Sequence, residues 1–98
     1  AIDRLHWDSI SMVFHSHSYL LEFFFDSKEI KISREPLEML KQARGFSSGE
    51  QILIRVALDI WSGSGNTKVW SLLESLDDQS LVNVLKALAL FRGLESAN

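Results

Sequence analysis

Between Ser47 and Gly63 the chain carries its clearest helix-like pattern. Ile52, Leu53, Ile54, Val56, Ala57, Leu58, Ile60 and Trp61 are apolar, while Gln51, Arg55, Asp59 and Ser62 recur as one narrow polar stripe at helical spacing. A helix so apolar around its circumference must be enclosed by protein on most sides. Ser47-Ser48-Gly49-Glu50 has capping-box spacing, in which the Ser47 hydroxyl accepts from the Glu50 amide and the Glu50 side chain reaches back. Gly63 and Gly65 supply the stop.

The C-terminal block repeats this character. Asp77 or Asp78 can cap a helix running to about Arg92, with Gly93 as its left-handed end residue and Arg92 complementing the helix dipole. Leu81, Val84, Leu85, Leu88 and Phe91 form the expected apolar stripe, widened by Val82, Ala87, Ala89 and Leu90. Gln79, Asn83 and Lys86 mark the expected solvent edge. Between the two blocks lies a shorter helix, about Lys68 to Leu76, capped by Asn66 or Thr67, with Val69, Leu72, Leu73 and Leu76 facing inward. Upstream, Ser33 can cap a helix over about Arg34 to Arg44 that tolerates Pro36 in its first turn and ends at Gly45. Its inward residues are Leu37 and Leu40, with Met39 and Ala43 as further candidates.

Two patterns compete in the first third. Ile10, Val13, Phe14, His17, Leu21 and Phe24 share one helical face, which predicts a helix from about Asp8 to Phe25. Tyr19, Leu21, Phe23 and Phe25 also alternate, Asp26-Ser27-Lys28 can turn, and Ile30 and Ile32 alternate in return, which describes a hairpin across residues 19–33. Glu29 to Ser33 is extended under either reading. The expected fold is therefore all-α: one domain over residues 1–98, a small bundle of about five helices, with 94–98 as a frayed tail. A short extended segment or hairpin near 19–33 is its only non-helical element.

Composition adds limits. Of 98 residues, 46% are apolar and 23% charged, enough for a core without staples and too apolar for disorder. The net charge of -3 and the stretch from Ser71 to Leu85, which has acids and no base, argue against binding duplex DNA. With no cysteine there is neither a disulfide nor a thiolate site, which suits a cytoplasmic protein. The uncharged run from Ser9 to Leu21 falls short of the roughly 20 apolar residues that span a bilayer. No basic and then apolar segment opens the chain, so no signal peptide is expected.

Candidate chemistry is thin. His6, His15 and His17 cluster near the N-terminus, but on a helix His15 and His17 diverge by about 200° and cannot share a metal ion. One half-buried and two surface histidines are expected. Ser62-Gly63-Ser64-Gly65-Asn66-Thr67-Lys68 is glycine-rich and opens a helix, but it lacks P-loop spacing and follows a helix rather than a strand. A flexible connector accounts for its glycines, and Arg55 with Asp59 reads as a surface pair or a cap partner. No catalytic motif, cofactor site or metal site is assigned to any residue.

The expected function is a non-enzymatic protein-interaction or regulatory module. Two helices that are apolar nearly all round demand more cover than their short neighbours supply. Another protein or a second copy of the chain can cover a face holding some of Trp61, Trp70, Leu90 or Phe91, and so can the N-terminal segment with Phe23, Phe24 and Phe25. The alternative function is a nucleic-acid-associated regulator of helix-turn-helix type. It would pair the helix ending near Ser62 with the one starting near Lys68, or that one with the last helix.

Overall fold

A computed structural model describes residues 4–26 and 31–94. It is an all-α bundle with one two-residue hairpin. The helices are α1 (Arg4–Val13), α2 (Ser18–Phe24), α3 (Pro36–Gln42), α4 (Ser48–Ser62), α5 (Val69–Ser75) and α6 (Asp78–Arg92). The strands β1 (Phe25–Asp26) and β2 (Lys31–Ile32) pair antiparallel, Phe25 opposite Ile32 and Asp26 opposite Lys31. The turn expected around Ser27 and Lys28, the return position Ile30 and the expected tail beyond Leu94 lie outside the described residues.

Helix α4 is the axis, touching every other helix. Leu53, Ile54, Val56, Ala57, Leu58 and Ile60 are buried around its circumference, as its all-round apolar pattern requires. The capping box starts it at Ser47, and Gly63 ends it with φ of 71°, a left-handed value that costs glycine least.

Both readings of the first third are partly right. Helix holds to Phe24, but it starts at Arg4 and breaks between Val13 and Ser18. There the amide of His15 donates to the Met12 carbonyl and that of His17 to the Phe14 carbonyl, a tightened turn that redirects the chain. The break lets Ile10, Phe14, Leu20 and Phe24 all reach the core. Extended pairing begins only at Phe25.

Three inward faces differ from expectation. In α6 the buried residues are Ser80, Asn83, Val84 and Ala87, one position before the expected Leu81, Val84, Leu85 and Leu88. Such a shift is a rotation of about 100° at 3.6 residues per turn. The most extensive partner of α6 is α1, which carries a buried small residue of its own, Ser9. Small side chains on both helices permit close backbone approach, and the leucines turn outward. Asn83, expected at the solvent edge, is instead 2% exposed.

In α3 Met39 is buried and Leu40 half-buried, and Ala43 just after the helix is buried too, whereas Leu37 is 78% exposed. The helix is also shorter than expected, because Ser33 does not cap it. Its hydroxyl donates to the Phe23 carbonyl at 2.6 Å, joining the hairpin to α2, and Glu35 takes the cap position with no side-chain bond. In α5, Leu72 packs on the core, as does Leu76 at its C-terminal end, while Val69 and Leu73 face solvent. Lys68, not Asn66 or Thr67, precedes that helix, and no side chain caps it.

Candidate functional site

Two helix N-termini open on one polar cleft of about 310 Å³, where His17, Glu50, Asp77 and Ser80 are among the lining residues. The Ser47 hydroxyl accepts from the Glu50 amide at 3.2 Å, and the Glu50 carboxylate accepts from the Ser47 amide at 2.9 Å. The Asp77 carboxylate accepts from the Ser80 amide at 2.8 Å. Tyr19 donates its hydroxyl to Glu50, which holds the Glu50 carboxyl below its ordinary range and raises the Tyr19 phenol. Hydrogen bonds from Ser80 lower Asp77 in the same way. Each helix start is thus satisfied by a carboxylate of the chain itself, which repels phosphate where a bare N-terminus would attract it.

The glycine-rich segment is not a loose connector. The Asp59 carboxylate accepts from the Gly65 amide at 2.8 Å and the Thr67 amide at 3.0 Å, while Arg55 donates to the Gly65 carbonyl at 2.8 Å. Arg55 and Asp59 therefore fold the segment back onto α4 instead of pairing with each other across the surface. Gly65 is buried, and a Cβ there would lie 1.9 Å from the Arg55 carbonyl oxygen. Burial alone would raise the Asp59 carboxyl, but hydrogen bonds from Thr67, Gly65 and Asn66 outweigh it and hold the group low. These amides are spent inside the protein, so they do not form a phosphate cradle.

The histidines separate. His15 is exposed in the turn after α1, and His17 is half-buried at the polar cleft. His6 is half-buried too, its ring edge-on to Phe91 at 4.9 Å and to Trp61 at 5.9 Å. Two half-buried histidines and one exposed one replace the expected reverse ratio. Among the described residues no group of three or more His, Asp or Glu side chains could hold a metal ion.

The remaining feature is apolar. Val56 of α4, Val69 and Leu72 of α5, and Val84 and Leu88 of α6 line a groove of about 180 Å³, with Asp59 and Thr67 at its end. Its two banks carry several exposed large apolar side chains. On α5, Val69 is 70% exposed, Trp70 68% and Leu73 60%; on α6, Leu85 is 55% and Leu88 44%. From the sequence all but Trp70 of these five belong to the core. Of the four residues expected at a covered surface, only Trp70 is exposed, while Trp61, Leu90 and Phe91 are half-buried. A signal was nevertheless present. A helix of seven residues whose apolar side chains Val69, Trp70, Leu72 and Leu73 spread over about 160° of its circumference cannot bury every one of them against a single neighbour.

No family model matches this chain, and no curated protein and no solved structure matches it either. Among the described residues no helix is long and apolar enough to cross a membrane.

Proposed function

We propose that this chain is a non-enzymatic protein-interaction module of the cytoplasm, and that the apolar groove between α5 and α6 is its working surface. One observation carries the reading: α5 has no fully buried residue, yet it presents Val69, Trp70 and Leu73 to water. A seven-residue helix is too short to be stable by itself, and leaving large apolar side chains in water gives up about 1.5–3 kcal/mol for each. A partner surface recovers that free energy. The groove lining is uncharged apart from Asp59, which is already engaged by the Gly65 and Thr67 amides, so the partner is apolar where it docks. The cytoplasmic placement rests on the cysteine-free sequence.

The helix-turn-helix alternative draws less support. A recognition helix needs outward Arg, Lys, Asn or Gln, and the outward residues of α5 are Val69, Trp70 and Leu73 beside Glu74.

The test is a titration with a synthetic amphipathic peptide bearing leucines along one helical face, followed through backbone amide NMR shifts. Shifts concentrated on α5 and α6 support the reading. Absent shifts, or shifts scattered over the bundle, would overturn it.

A further inference from the structure

We infer that the occupant of the α5–α6 groove is a second copy of this chain, docked about a two-fold axis; the inference rests on the interaction reading above. Three observations converge on it.

The first is the arrangement of the face. Around α5, Val69 borders the groove, Leu73 stands about 40° further round and Trp70 about 100° further. Around α6, Val84 borders the groove, with Leu88 and Leu85 at the same offsets. The surface therefore runs from an apolar shoulder on α5, through the groove, to an apolar shoulder on α6. A two-fold contact needs a self-complementary patch, in which each copy offers both the ridge and the hollow that receives it. Here ridge and hollow are adjacent in one chain.

The second is size. An apolar cavity of about 150 Å³ accommodates a benzene ring. The groove, at about 180 Å³, takes one large side chain. Trp70 is the largest exposed apolar side chain of the chain's described part, and it stands next in sequence to groove-lining Val69.

The third is area. Val69, Trp70, Leu73, Leu85 and Leu88 together expose on the order of 500 Å², at the upper end of the roughly 300–600 Å² found for the largest apolar patch of an ordinary monomer. Two such patches, fully covered, reach about 1,000 Å², the threshold for a biological interface and in the range of weak, transient ones. The dimer is accordingly reversible, and its population depends on concentration.

Sedimentation equilibrium of the wild-type chain across a hundredfold concentration range tests this. The mass is expected to rise from 11.2 kDa toward twice that value. Leu73→Glu and Leu88→Glu should each hold the mass at the monomer value with unchanged helical circular dichroism, since both side chains face water in the monomer. Leu37→Glu, also at an exposed leucine but outside the groove, should dimerise like wild type. Concentration-dependent amide shifts of the wild type, confined to α5 and α6, would report the same contact without any variant. A wild-type mass of 11.2 kDa throughout overturns the inference, as does a dimer that both face variants leave intact. In the first case the leucine-faced peptide separates the failures. Peptide-induced shifts on α5 and α6 would preserve the interaction reading with another protein as occupant, and their absence would remove both.

Discussion

The side-chain amide of Asn83 donates to the Ser16 hydroxyl at 3.0 Å, tying the middle of α6 to the turn after α1 across 67 positions of sequence. Gln79, one turn earlier on α6, donates its side-chain amide to the Asn83 side-chain oxygen Oδ1 at 3.0 Å. A buried amide is tolerated only when its donors and acceptor are satisfied, and here both ends are engaged. Asn83→Ala should therefore destabilise by about 1–3 kcal/mol, since it leaves Ser16 without its donor and a gap beside α1. Equilibrium denaturation would show this as a lower midpoint at unchanged slope.

Leu58 and Leu85 lie on helices of equal length and similar apolar character, but Leu58 is fully buried and Leu85 faces solvent. Leu58→Ala should cost about 2–5 kcal/mol. Leu85→Ala should stay within about 0.5 kcal/mol of wild type when measured at a concentration where the chain is monomeric. Equal losses from the two would place the α6 leucines back in the core.

Ser9 of α1 is fully buried, and its hydroxyl has no hydrogen-bond partner among the described residues. Removing an unpaired buried hydroxyl without altering the shape of the contact should help. Ser9→Ala is expected to stabilise by about 1 kcal/mol, raising the thermal midpoint by several degrees.

Gly63 and Gly65 should respond differently to the same change. Gly63→Ala forces a side chain into left-handed backbone and should cost about 1–2 kcal/mol. Gly65→Ala drives a methyl group into the Arg55 carbonyl and should cost more than Gly63→Ala, about 3 kcal/mol. Thermal denaturation of both variants orders the two losses.

Asp59 makes stability depend on acid. Its folded pKa lies below the unfolded value of about 3.9, so its contribution is complete well above that pH and is lost as the pH falls through the folded pKa. Asp59→Ala should cost about 1.5–3 kcal/mol at neutral pH, through two orphaned amides. The gap from wild type should narrow steadily below about pH 4. A gap that stays constant down to pH 2 would show that the carboxylate charge is not what holds the loop.

Local chemistry was legible in the sequence wherever a few neighbouring residues decide the outcome. The Ser47–Glu50 capping box, the α6 cap at Asp77 (one of the two candidates) and the glycine ends at Gly63 and Gly93 are all present. So is the enclosure of α4, because a helix apolar on every side leaves no choice of face. The loop clamp was half legible: Arg55 and Asp59 were visible, but not that they hold Gly65 rather than each other. Tertiary contact alone decided the rotation of α6. Its sequence favours Leu81, Val84, Leu85 and Leu88 as the inward face, yet Ser80, Asn83, Val84 and Ala87 are the residues buried. Close approach by α1 selected the smaller set. The exposed leucines that border the α5–α6 groove follow from that choice, since a wide apolar arc packed on one side leaves the rest in water.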